Sequence, residues 1–194
     1  MQIYEKKQEK SKKFAIFAFM KMKETQKRIE LLAPAKNSLF GMEAINHGAD
    51  AVYIGAPKFG ARMAASNTLE EIETLTRYAH QFGAKVHVAL NTILTDSELE
   101  EADRLIKNLY EIGTDVLIIQ DLGLLTLDLP PIELHASTQL DNRTIEKIQL
   151  LENLGFDRVV LARELSLSEI QEIHSKSKIE LEAFVHGALC VNLL

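Results

Sequence analysis

Cysteine is nearly missing from this chain: Cys190 is the single one in 194 residues. One thiol excludes an intramolecular disulfide and leaves secretion without positive support. Nor can one thiolate hold a metal or a cluster alone, although it can be one ligand among several. Long apolar runs are lacking as well. The N-terminal run Phe14-Ala-Ile-Phe-Ala-Phe-Met20 spans seven residues, far short of the ~20 that cross a bilayer. Lys21 and Lys23 follow at once and no small-residue cleavage site is visible, so a secretory signal is not supported. Neither a P-loop nor a dinucleotide fingerprint is present, since Gly55-Ala-Pro-Lys-Phe-Gly60 has the wrong glycine order.

Basic charge is scarce beyond the first 28 residues. That segment carries nine Lys/Arg and three Glu, a net of +6, whereas the remainder holds 13 basic and 25 acidic residues, a net of −12. So acidic a body repels a phosphate backbone unless basic residues cluster locally, which argues against nonspecific nucleic-acid binding. Residues 1–28 are expected to be a disordered or mistranslated basic leader, with a true start near Met20 or Met22.

The 46% hydrophobic and 26% charged composition is that of one soluble globular domain. From residue 29 onward, short apolar strands alternate with amphipathic helices. The predicted strands are Ile29–Leu32, Ala51–Ile54, Lys85–Leu90, Val116–Gln120, Ile132–Ala136, Arg158–Ala162 and Ile179–Val185, rich in Val, Ile and Leu as strands covered on both faces are. The predicted helices Leu39–His47, Thr68–Phe82, Ser97–Ile112 and Asn142–Leu154 each stop at a glycine, the residue that closes a helix in the left-handed conformation. Thr68-Leu-Glu-Glu71 and Ser97-Glu-Leu-Glu100 have capping-box spacing, and Ser168 can cap a short helix Glu169–His174. Asp121–Leu129 leaves room for a turn or two of helix before Pro130-Pro131. Strict alternation points to a parallel sheet, open or closed. Seven strands favour an incomplete TIM-like (β/α) barrel over residues 29–194, short of its eighth strand.

Barrel chemistry sits at the C-terminal strand ends. Arg62 and Asn67 fall in the loop after the second strand. The Arg62 fork can clamp a phosphate or carboxylate, though a surface arginine accounts for it equally. After the fifth strand comes His135-Ala-Ser137-Thr-Gln139, where His and Ser invite a nucleophilic reading, while hydrogen bonds from Ser137 and Gln139 to the rim loops are the more ordinary use of such residues. Arg163-Glu164 closes the sixth strand and can pair internally. Glu182, Phe184 and His186 alternate and so share one strand face. If that face points into the barrel mouth, a protonated His186 would favour the Cys190 thiolate; as a small buried apolar residue Cys190 needs no such role.

These residues carry a family likeness. Glu182-Ala-Phe-Val-His-Gly-Ala-Leu-Cys190 resembles the opening of the signature of the peptidase U32 family, also called collagenase-like proteases. Glu30-Leu-Leu-Ala-Pro-Ala35, Gly48-Ala-Asp-Ala-Val-Tyr-Ile-Gly55, Leu134-His-Ala-Ser-Thr-Gln139 and Leu161-Ala-Arg-Glu-Leu165 are similar to its earlier strand ends. The resemblance implies a barrel-like N-terminal domain, usually followed by a further C-terminal region. It implies full-length relatives that act in hydroxylation of transfer or ribosomal RNA bases, and others in ubiquinone biosynthesis, where four cysteines hold an iron–sulfur cluster. Cys190 matches the first of these cysteines. Asn192-Leu-Leu194 departs from the family's continuation, so the cluster is not expected to be retained by this chain.

Three functions follow as expectations. In the first, a cytoplasmic RNA-base hydroxylation enzyme takes a base into the barrel mouth, with Cys190 as a metal ligand and Arg62, Asn67, Gln139, Arg163 and Glu182 binding substrate. In the second, a peptidase uses Cys190 or Ser137 as nucleophile and His186 or His135 as base on a peptide substrate. In the third, the chain is truncated within the family signature, either an inactive fragment or a subunit completed by a partner chain. No membrane association is expected.

Overall fold

The computed structural model describes residues 29–60 and 67–187. The basic leader, Arg62 and Cys190 lie outside them. Seven parallel strands form one sheet in sequential order: β1 (Leu32–Ala35), β2 (Ala51–Gly55), β3 (Lys85–Leu90), β4 (Val116–Ile119), β5 (Glu133–Ala136), β6 (Arg158–Val160) and β7 (Glu180–Glu182). Helices α1 (Ser38–Asn46), α2 (Leu69–Gln81), α3 (Leu99–Glu111), α4 (Ile145–Asn153) and α5 (Leu167–Lys176) cross between consecutive strands. A 3₁₀ turn, Leu122–Thr126, replaces the helix between β4 and β5. The sheet curls into an incomplete (β/α) barrel.

Parity along the strands separates its two faces. Val52, Ile54, Val86, Val88, Leu90, Leu117, Ile119 and Val159 point outward into one apolar cluster. Opposite them, α2 offers Ile72, Leu75 and Ala79, and α3 offers Ala102, Leu105, Ile106 and Leu109. These are the i, i+3, i+4, i+7 stripes of helices that bury one side. Each large side chain buried there contributes about 1.5–3 kcal/mol.

A Gly-x-Asp turn recurs before β2, β4 and β6. Gly48 (φ +97°), Gly113 (φ +87°) and Gly155 (φ +89°) occupy the backbone region that disfavours a Cβ and end the preceding helix. Two residues on, Asp50, Asp115 and Asp157 accept the backbone N–H of Leu31 (2.9 Å), Val86 (2.7 Å) and Leu134 (2.9 Å). Each aspartate thereby ties the start of its own strand to the strand before it, and these bonds to a charged acceptor are stronger than neutral ones.

Five sequence-based boundaries need correction. The helix expected over Asn142–Leu154 is Ile145–Asn153, capped by Thr144. The first strand is Leu32–Ala35, three residues later than Ile29–Leu32, and contains Pro34. Leu31 is 54% exposed, and proline is tolerated on an edge strand because its missing N–H is not needed there. The seventh strand ends at Glu182, so Phe184 and His186 lie past it. Helix α3 is entered through a 3₁₀ turn at Asp96–Glu98, with the Thr95 N–H donating to Glu98 at 2.9 Å, in place of the expected Ser97 cap. Ser166, not Ser168, caps α5 in a capping box with Glu169. Thr68 caps α2 as expected, by the same reciprocal bonds with Glu71.

Candidate functional site in the barrel interior

The inward strand face is polar where the outward face is apolar. Lys85, Glu133, Arg158 and Glu180 are each the first residue of their strand, and His87, His135 and Glu182 are each the third. Side chains two apart on a strand share a face, so both sets point into the curl, with Arg158 in register beside His135. Ala51, Ala89, Val116, Ile118 and Val160 share this face and are buried.

Ion pairs join several of these side chains. The Lys85 Nζ lies 3.0 Å from Glu133, and Arg158 lies 3.0 Å from Glu180 and 3.7 Å from Glu182. Burial alone raises the Glu133 pKa, but hydrogen bonds from His135 and Lys85 and their charges outweigh it and hold this carboxyl at about 2. Glu133 is therefore a carboxylate that can only accept. His135 Nε2, 2.9 Å from Glu133 Oε1, must carry the proton of that bond. The ring is fixed with Nδ1 turned toward Glu182 Oε2 at 3.9 Å.

His87 stacks edge-on against His135, with ring centroids 5.0 Å apart at 86°. It is fully buried, and neither ring nitrogen has a hydrogen-bond partner. Burial, then the His135 and Arg158 charges, push its pKa down to about 3, partly opposed by Glu133. His87 is thus a neutral imidazole at physiological pH. A donor atom from each of His87, His135 and Glu182 lies within 4.8 Å of the other two.

The residues chosen from the strand ends are placed as follows. Asn67 is buried and donates from Nδ2 to Gly55 O at 3.1 Å, which ties the loop after β2 to that strand's end. Ser137 is buried, and its Oγ accepts from Gln139 N at 3.3 Å, capping a 3₁₀ turn. Gln139 is half-buried and its Oε1 has no hydrogen-bond partner. Arg163 places its guanidinium 4.1 Å from the Phe184 ring centroid, a cation–π contact across the ends of β6 and β7. His186 is exposed beyond β7. Of the residues singled out from sequence, the structure brings His135 and Glu182 together. Sequence reasoning passed over His87, Lys85, Glu133, Arg158 and Glu180. Their signal was period-two polarity in Lys85-Val-His87, Glu133-Leu-His135 and Glu180-Leu-Glu182, inside segments read only at their ends.

A buried asparagine supports the rim. Asn142 Nδ2 donates to Ser137 O and Val160 O, both at 2.8 Å, clamping the end of β5 to the end of β6. Among the described residues, no helix is long and apolar enough to cross a membrane. A cluster held by four thiolates does not fit the donor set of a chain with one cysteine.

Comparison with known proteins agrees with this architecture. The chain is 58% identical over 164 residues to the 23S rRNA 5-hydroxycytidine C2501 synthase of Escherichia coli, covering 84% of this chain and 25% of that protein. It is 37% identical to tRNA hydroxylation protein P1 of Bacillus subtilis, covering 85% of this chain and 40% of that protein. The chain therefore spans a quarter to two-fifths of the length of these relatives. In fold it resembles the solved U32 peptidase Mk0906, with a TM-score of 0.68 at 14% identity over 82% of this chain and 69% of that one. Tryptophan synthase from M. tuberculosis is similar at a TM-score of 0.57 and 13% identity, covering 80% of this chain and 74% of that one. The family model described as peptidase family U32 matches residues 40–193, most of the strands and helices above, and the chain belongs to that family.

Proposed function

We propose that this chain is the barrel portion of a cytoplasmic RNA-base hydroxylation system, acting on ribosomal RNA together with protein parts that its longer relatives carry. The observation behind this is the 58% identity to a 23S rRNA hydroxycytidine synthase across 84% of this chain. The acidic body supplies little phosphate affinity, so binding of the RNA backbone falls to those further parts. This chain's contribution is the barrel mouth, where Arg163 and Gln139 stand at strand ends and a base taken out of its stack can enter. The iron–sulfur cluster is not held by this chain alone.

Exchange of residues tests the proposal. The matching segment of the E. coli synthase is replaced by residues 29–191 of this chain in a strain lacking the enzyme, and 5-hydroxycytidine in 23S rRNA is measured by mass spectrometry. Restoration of the modified base is the expected result. A chimera that accumulates in folded form yet leaves the base unmodified would refute the proposal. The family name supports a second reading, a peptidase using Ser137 or Cys190 with His135 or His186. Against its Ser137–His135 form stand two contacts, the cap made by the Ser137 oxygen and the His135 Nε2 bond to Glu133.

A further inference from the structure

We propose that His87, His135 and Glu182 bind a divalent first-row transition-metal ion inside the barrel. The inference stands on the interior geometry and does not depend on the RNA reading. Three observations carry it. First, one donor atom from each residue lies within 4.8 Å of the others. Three donors sharing an ion tetrahedrally at ~2.1 Å are ~3.4 Å apart, so side-chain movements of up to ~1.5 Å complete the set.

Second, His87 is a fully buried imidazole whose two nitrogens have no hydrogen-bond partner. Buried polar groups in folded proteins are nearly always satisfied, and an exception calls for a reason. A lone pair aimed at an ion supplies one. Third, His135 is held as metal-ligating histidines are. Its Nε2–H goes to a carboxylate, Glu133, which is itself fixed by Lys85, and Nδ1 lies 3.9 Å from Glu182 Oε2.

The donor set and the local charge indicate what is bound. Two neutral imidazoles with one carboxylate suit divalent iron, cobalt, nickel or zinc, whereas magnesium and calcium prefer oxygen alone. Among the described residues, the interior holds three carboxylates, Glu133, Glu180 and Glu182, and two cations, Lys85 and Arg158, a difference of one negative charge. An imidazolium at His135, bridging Glu133 and Glu182, balances that charge without an ion. It leaves both His87 nitrogens without a partner, whereas a bound cation balances the charge and takes the lone pair of one of them. Glu182, with its side chain 17% exposed, is the corner through which an ion enters.

Cobalt(II) is the probe, because its visible bands report nitrogen and oxygen coordination. The full chain, stripped with chelator, is titrated with cobalt(II) and followed by absorbance, calorimetry and thermal melting. One equivalent is expected to bind and to raise the melting temperature. His87→Leu and Glu182→Gln are each expected to weaken binding more than ~10-fold, and Glu133→Gln by ~10- to 100-fold through the lost support of His135. Cys190→Ser and His80→Ala are expected to leave it unchanged. Glu182→Gln alters the least buried ligand and keeps the test open should His87→Leu fail to fold. The proposal is overturned by absence of saturable binding, by binding indifferent to both ligand variants, or by binding lost only in Cys190→Ser.

Discussion

Replacing His87 by leucine is expected to stabilise the metal-free protein, by an amount that grows as the pH falls. At neutral pH the wild-type ring is uncharged, fully buried and without hydrogen-bond partners. Leaving a buried polar group unsatisfied costs about 1–3 kcal/mol, and leucine fills a similar volume without that penalty. The gain of about 1–3 kcal/mol corresponds to a rise of roughly 2–10 °C in Tm for a chain of this size. The pH dependence has a definite sign. The folded ring has a pKa of about 3 against 6.5 for the ordinary side chain, so the unfolded chain takes up the proton first. The stability associated with a neutral His87 is therefore full above pH 6.5 and drains between pH 6.5 and about 3, by roughly 1 kcal/mol per pH unit. His87→Leu lacks this loss. Urea unfolding in the presence of chelator, at pH 7.5, 6 and 5, measures the difference. A variant less stable than wild type at pH 7.5, or a difference constant with pH, would refute the reasoning.

Other substitutions probe the scaffold around this interior. Leu109→Ala removes a fully buried side chain of α3 from the outer apolar cluster and is expected to cost about 2–5 kcal/mol in urea unfolding. Asn142→Ala breaks both bonds between the ends of β5 and β6; a loss of about 2–4 kcal/mol, with faster hydrogen exchange at the rim, is expected by calorimetry and exchange mass spectrometry. Asp157→Ala frees the Leu134 N–H at the start of β5 and is expected to cost about 1.5–3 kcal/mol. Lys58→Ala cuts an exposed ion pair to Glu101 and is expected to change the thermal midpoint by no more than the equivalent of ~1 kcal/mol.

The outward half of the fold was legible from sequence. Apolar strands against amphipathic stripes, with a glycine after each long helix, fix both the element order and the incomplete barrel, and Lys85–Leu90 matches β3 residue for residue. Boundaries failed where two signals overlapped. Thr95-Asp-Ser-Glu98 and Ser97-Glu-Leu-Glu100 both have capping spacing, as do Ser166 and Ser168 around the start of α5, and in each case the earlier residue is the cap position. The interior was less legible for a different reason. Chemistry was sought at the strand ends, as barrel architecture suggests, whereas His87 and Glu133 belong to strand bodies whose burial and pairing arise only once β3 and β5 are brought together across the curl. His135 and Glu182 were found by a rule about ends and lie together for a reason of registry.

Anomalous X-ray diffraction at the cobalt absorption edge, from crystals of the full chain grown with cobalt(II), tests the interior most directly. A single peak at ~2.1 Å from donor atoms of His87, His135 and Glu182 is the expected result. A peak at any other set of residues, or density showing His87 bonded to ordered water with no metal nearby, would contradict it.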